Sequence, residues 1–82
     1  MPTVLNTAGF RIVIYPADHR PAHVHAIGHG GEAVFFPDCP SGPPRLREVY
    51  GLSRSEVVRL RRALASEIPL LCATWEQIHG QA

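Results

Sequence analysis

Residues 52–80 read LSRSEVVRLRRALASEIPLLCATWEQIHG, and this stretch decides the fold. Apolar side chains recur in it at intervals of three or four residues, which is the period of one face of an α-helix. In chain order they are Val57, Leu60, Leu64, Ile68, Leu71, Trp75 and Ile78. We therefore expect a helical half whose apolar stripe packs on the rest of the chain.

The helical half carries its own start, break and stop signals. Ser53 can cap the first helix while Glu56, three residues later, reaches back to the capping residue. Pro69 cannot donate a backbone N–H, which predicts a break near Ser66 and a second helix with the proline in its first turn. We expect a helical hairpin that ends at Gly80.

The residues before the hairpin are typical of strands joined by turns. Runs rich in β-branched and aromatic residues, or with period-two alternation, predict strands over 10–15, 23–27 and 32–36. The glycine-rich segment 28–31 suits a hairpin loop. Residues 45–50 are expected to add a short edge strand.

The alternation over 23–27 also predicts which side chains face the helices. Val24 and Ala26 fall on one face of the strand, and His23 and His25 fall on the other. We expect the apolar stripe of the helices to pack on the face of Val24 and Ala26, with the two histidines on the solvent side.

Composition predicts a single globular domain. The chain has 82 residues, of which 45% are hydrophobic and 18% charged, and a chain of this length supports one core. The predicted class is α+β: a three- to four-stranded antiparallel sheet within residues 1–50, packed against a C-terminal helical hairpin over residues 53–80.

Further sequence features bear on location and association. The apolar runs are too short to span a bilayer and no export signal begins the chain, so we expect a cytoplasmic protein with no membrane contact. Cys39 and Cys72 are interpreted as an incidental loop thiol and a small buried hydrophobe rather than as a disulfide or metal pair. The choice between monomer and homodimer stays open.

The densest polar segment is residues 18–25, which hold three of the five histidines. On a strand, His23 and His25 project from one face about 6–7 Å apart, and His19 can fold back toward them. Neighbouring imidazoles suit acid–base catalysis near neutral pH. We therefore predict His23, His25 and His19 as catalytic residues of a His-dependent, ribonuclease-like activity.

Two other interpretations of these histidines stay open. They can simply pack and hydrogen-bond along a half-exposed sheet face. Their spacing also offers two zinc ligands, with His19, Asp18 or Glu32 as a third. Because no cysteine pair lies nearby, we expect no metal that is essential to folding, and no cofactor.

The first predicted helix carries basic side chains away from its apolar stripe. Arg54, Arg59, Arg61 and Arg62 are candidates for binding substrate phosphate or an acidic protein, against the alternative of a solvated helix face. Glu32 is added to this substrate-binding set because it can orient one imidazole if it shares the face of the histidines.

Several segments together resemble one protein family. They are MPTVL at 1–5, GFR at 9–11, HRPAHVH at 19–25, EAVF at 32–35, GLS at 51–53 with Glu56, and Trp75. The pattern resembles the bacterial domain-of-unknown-function family numbered 4160, and the H-x-x-x-H-x-H run is its most specific part. Ala22 departs from the family pattern, which commonly has a second proline there.

The resemblance implies a function that composition does not. Members of that family commonly stand beside a small gene of the domain-of-unknown-function family numbered 2442, and some such pairs behave as toxin and antitoxin. We therefore expect the growth-inhibiting toxin of a type II pair, acting on RNA or the translation machinery, with a small cognate antitoxin as partner. A non-enzymatic protein- or nucleic-acid-binding module and a small metal-binding protein are the alternatives.

Overall fold

The computed structural model describes residues 3–80. Its elements are β1 (Thr3–Thr7), β2 (Phe10–Val13), β3 (Val24–Gly28), β4 (Gly31–Phe36), β5 (Arg45–Tyr50), α1 (Arg54–Ala65) and α2 (Ile68–His79). The observed class is α+β, with an antiparallel sheet followed by two helices.

The sheet is a five-stranded meander in the order β1-β2-β3-β4-β5. The prediction of three to four strands was wrong because it omitted β1. That strand pairs with β2 across a tight turn at Ala8 and Gly9, whose φ angles are 54° and 79°. Positive φ at both central residues fits a hairpin turn whose twist matches the strands. The edge strand β5 forms as predicted and pairs with β4.

The two helices begin and end where the sequence predicts. Ser53 Oγ accepts from the backbone N–H of Glu56 at 3.2 Å, and Glu56 Oε1 accepts from the backbone N–H of Ser53 at 2.7 Å. α1 is capped at its C-terminus by Ser66, Pro69 lies in the first turn of α2, and Gly80 caps the end of α2. Neither helix within residues 3–80 has the length and apolar character needed to cross a membrane.

The core lies between the helices and one face of the sheet. Val24 and Ala26 are buried there, as predicted, together with Leu60 and Leu64 of α1 and Trp75 of α2. The remaining members of the apolar stripe belong to this core or pack against it. Burial of such side chains contributes about 1.5–3 kcal/mol each, which makes this layer the main source of stability.

A disulfide joins Cys39, in the loop after β4, to Cys72 in α2, and their Cα atoms are 5.8 Å apart. The interpretation of these residues as a free loop thiol and an unbonded core side chain was therefore wrong. The two cysteines are 33 residues apart in the sequence, so their proximity in space could not be seen from it. It arises because the proline-rich loop folds against the second helix.

Candidate functional site

The connection from β2 to β3 brings three side chains together, which we call the histidine centre: Asp18, His23 and His25. Asp18 Oδ2 lies 3.4 Å from His23 Nε2 and 3.2 Å from His25 Nε2. The two imidazole centroids are 5.4 Å apart. The structure thus brings the two predicted histidines together and adds a carboxylate between them.

The two histidines occupy different environments. His23 precedes the first residue of β3, is only 6% exposed, and has its ring centroid 5.4 Å from that of Trp75 in α2. The expectation that both histidines face solvent from one strand was therefore wrong for His23. It failed because His23 lies one residue before β3, where strand alternation does not apply, and its ring packs against Trp75. His25 lies on β3, half-buried, with the Tyr15 ring edge-on at 4.7 Å.

The Nδ1 atoms of both imidazoles have fixed partners. His23 Nδ1 donates to the carbonyl oxygen of Pro21 at 2.9 Å, and His25 Nδ1 donates to Glu32 Oε2 at 2.9 Å. Carbonyl and carboxylate oxygens only accept, so each Nδ1 carries a proton. Each Nε2 is therefore the atom left to act on Asp18 or on a ligand.

Glu32 reaches His25 because of the sheet register. Glu32 pairs with Ile27 across β3 and β4, which places it diagonally from His25 on the same face. The sequence pattern raised this orienting contact as conditional on a shared face, and the structure meets that condition.

A second layer of contacts holds the loop of the histidine centre against α2. His79 stacks on Trp75 with ring centroids 4.0 Å apart, and its Nε2 donates to the carbonyl oxygen of Tyr15 at 3.1 Å. The backbone N–H of Asp18 donates to the same carbonyl at 3.0 Å. The contact of His79 with this loop was not predicted from the sequence, because it joins residues that are 64 positions apart.

The histidine centre opens on a surface cleft of about 360 Å³, which Asp18 and His23 help to line. His19 is exposed and also lines this cleft, so it lies beside the cluster and not within it. Arg20 and Arg47 line the cleft too. Sequence reasoning did not place Arg47 at the site, since it lies on β5, more than twenty residues further along the chain.

The basic side chains of α1 lie elsewhere. Arg54, Arg59 and Arg62, which we call the arginine face, line a separate surface cavity of about 660 Å³ around the exposed Val58. Arg61 instead donates through Nε to the carbonyl oxygen of Pro44 at 2.9 Å. The cavity of the arginine face and the cleft of the histidine centre share no lining residue. The predicted phosphate-binding arginines therefore do not adjoin the predicted catalytic histidines.

The ligand atoms of the histidine centre have two chemical capacities. Two imidazole nitrogens and a carboxylate oxygen, all within 4.8 Å of one another, can exchange protons with a substrate or bind a divalent cation. Both capacities use the same two Nε2 atoms.

A five-stranded meander under a helical hairpin, with a histidine and carboxylate cluster formed by the β2–β3 loop and the start of β3, defines a small α+β protein with a concentrated polar site. The family model described as Domain of unknown function (DUF4160) matches residues 9–76, so the chain belongs to this family. The matched range contains the entire histidine centre. No curated protein and no solved structure matched the chain.

Proposed function

We propose that this chain is the growth-inhibiting toxin of a type II toxin–antitoxin pair, that it acts on RNA in the cytoplasm, and that the histidine centre is its working site. The observation that carries the proposal is the paired arrangement of His23 and His25 about Asp18, beside a cleft lined by guanidinium groups. The family resemblance supplies the biological setting.

The cleft has the chemistry to hold a phosphodiester. Arg20 and Arg47 supply planar guanidinium groups, which bind phosphate oxygens in a bidentate manner. Arg20 Nη2 also donates to the backbone carbonyl of His79 at 3.2 Å, which ties this side chain to the end of α2. A phosphate held by these residues would lie next to His23 and Asp18.

The reaction class is transfer of an RNA phosphodiester to its own 2′-hydroxyl. A base takes the 2′-hydroxyl proton while the oxygen attacks phosphorus, and an acid returns a proton to the departing 5′-oxygen. His19 is exposed in the cleft and can exchange protons with bound substrate. We assign the roles of base and acid to the Nε2 atoms of His23 and His25, with His19 beside them in the cleft.

The arginine face is the proposed docking surface for the cognate antitoxin. Three arginines surround an exposed valine on α1, and this combination suits an acidic partner segment with an apolar anchor. Electrostatic steering predicts that the association rate falls as salt is raised. An association rate that does not change with salt would contradict this role.

The function is tested by expressing His25→Ala and a His23→Gln/His25→Ala double variant without antitoxin. We expect growth inhibition, and cleavage of labelled RNA by the purified protein, to fall by about a hundredfold or more. His29→Ala is the matched control, because His29 is an exposed histidine of the β3–β4 turn. Thermal melting establishes that each variant is folded.

The outcomes separate the proposed enzyme from a binding module. Full toxicity in a folded double variant would remove the histidine centre from the mechanism. If toxicity were then lost on replacing Arg54, Arg59 and Arg62, the non-enzymatic binding module would be the better account.

A further inference from the structure

We propose that Asp18, His23 and His25 bind one divalent transition-metal ion, with zinc as the best match, through the two Nε2 atoms and the Asp18 carboxylate. Metal binding goes beyond the proposed function and does not depend on it. From the sequence alone, zinc binding by His23 and His25 was only an alternative, and the third ligand stayed open among His19, Asp18 and Glu32.

The distances between ligand atoms fit a common ion. Two ligand atoms about 2.1 Å from zinc, at a tetrahedral angle, lie about 3.4 Å apart. The separations from Asp18 Oδ2 to the Nε2 atoms of His23 and His25 are 3.4 Å and 3.2 Å. These two separations match edges of a coordination tetrahedron, and all three ligand atoms lie within 4.8 Å of one another, so an approach of the two imidazoles would let one ion bind all three.

The hydrogen bonds made by the Nδ1 atoms of His23 and His25 also favour metal binding. Metal-binding histidines typically donate their other ring N–H to a backbone carbonyl or a carboxylate, which fixes the tautomer and aims the lone pair at the metal. His23 does so to the carbonyl oxygen of Pro21, and His25 does so to the carboxylate of Glu32. Both kinds of outer partner are therefore present, one for each ring.

The surroundings of the three atoms also suit an ion. The side chains of Asp18 and His23 are 17% and 7% exposed, so the carboxylate oxygen and the His23 Nε2 atom are largely shielded from water. A divalent cation bound to the three atoms would replace the hydrogen bond between His25 Nε2 and Asp18 Oδ2 with coordination by both groups.

The ligand types select the metal class. Two imidazoles and one carboxylate suit zinc and its neighbours, whereas magnesium and calcium prefer oxygen ligands alone. Three protein ligands leave a fourth position, as in catalytic rather than structural zinc sites. Asp18 and His23 line the cleft, so that position can accept water or a phosphate oxygen from the cleft.

The test is direct titration of the metal-free protein. After purification with a chelator and its removal, calorimetry with zinc chloride is expected to show one equivalent bound. Cobalt chloride is expected to produce the visible spectrum of a four-coordinate site. Both measurements use the full chain without RNA, so they can fail or succeed independently of growth inhibition.

Variants locate the site. Asp18→Asn and His25→Ala are expected to weaken zinc binding by at least about tenfold, and Glu32→Gln by about 10- to 100-fold through the loss of the outer carboxylate. His29→Ala, outside the centre, is expected to bind as the unmodified chain does. Absence of stoichiometric binding by the folded chain would overturn the proposal and leave two hydrogen-bonded imidazoles without an ion. Unchanged affinity in folded Asp18→Asn and His25→Ala would overturn it too.

Discussion

The two helices have the same length, 12 residues each, but are stabilised in different ways. α1 begins with a complete capping box and presents arginines on its outer side, while burying Leu60 and Leu64. α2 has no side-chain cap, yet it buries four residues and is joined to a distant loop by a disulfide. Local interactions define the first helix, and long-range interactions define the second. The histidine centre packs against the second helix, α2.

The sharpest test of this difference is truncation of the aromatic side chain under His23. Trp75 is fully buried and contacts both His23 and His79. Trp75→Ala is expected to lower the free energy of unfolding by about 3–5 kcal/mol, as large-to-small core changes do. Chemical denaturation measures the loss. A change below about 1 kcal/mol would show that α2 is not the helix on which the core depends.

The covalent link of α2 is the next test. Replacing Cys39 and Cys72 together by alanine is expected to cost about 2–4 kcal/mol, chiefly because the unfolded chain regains the freedom of the closed loop. Thermal melting of this variant, compared with the oxidised and reduced parent, gives the value. Identical melting of oxidised and reduced parent would mean that the link does not stabilise the fold.

Removal of the cap of α1 is expected to have a smaller effect. Ser53→Ala should destabilise the protein by about 1 kcal/mol, because the N–H of Glu56 loses its acceptor.

The effect of Ser53→Ala should also depend on pH. Hydrogen bonds from the backbone and side chain of Ser53 hold the pKa of Glu56 below its ordinary value of 4.5. A lowered pKa stabilises the fold above the unfolded-state value, and this stabilisation is lost as pH falls through the folded-state value. Alanine at position 53 keeps the backbone N–H that is the larger cause and removes only the side-chain contribution, so the gap in stability between Ser53→Ala and the parent should narrow slightly at acid pH. A gap that widened would contradict the capping role.

Substitutions on the arginine face should hardly change the free energy of unfolding. Arg59→Ala is expected to change the free energy of unfolding by less than about 0.5 kcal/mol, as is usual for exposed side chains. Urea denaturation of Arg59→Ala beside Ser53→Ala compares two surface changes on one helix. A loss above about 1 kcal/mol would mean that this face supports the fold and is not free to bind a partner.

The difference between local and long-range interactions also explains which features of the fold could be predicted from the sequence. The start of α1, the break before Pro69 and the apolar stripe were predictable, because each depends on residues within a few positions of one another. The strand β1 was missed because it has only exposed and half-buried side chains, which give a weaker strand pattern than the apolar run from Phe10. The disulfide was missed because nothing in the sequence places residue 39 beside residue 72.

The histidine centre was predicted in part for the same reason. His23 and His25 could be identified from their spacing, and the contact with Glu32 follows from strand alternation and the hairpin register. The burial of His23 against Trp75 could not be predicted, because it depends on the packing of α2 over the loop. The role of Asp18 as the bridging group depends on the path of that loop, which local sequence does not specify.

The disulfide also turns the middle of the chain into a covalent ring. Six of the eight arginines lie between Cys39 and Cys72, and the chain has no lysine. A single trypsin cut within the ring therefore leaves two fragments joined through sulfur, which migrate as one species on a gel until a reductant is added. Because reducing compartments keep thiols free, the same gel run on freshly alkylated cell extract would show whether the ring is closed where the protein resides.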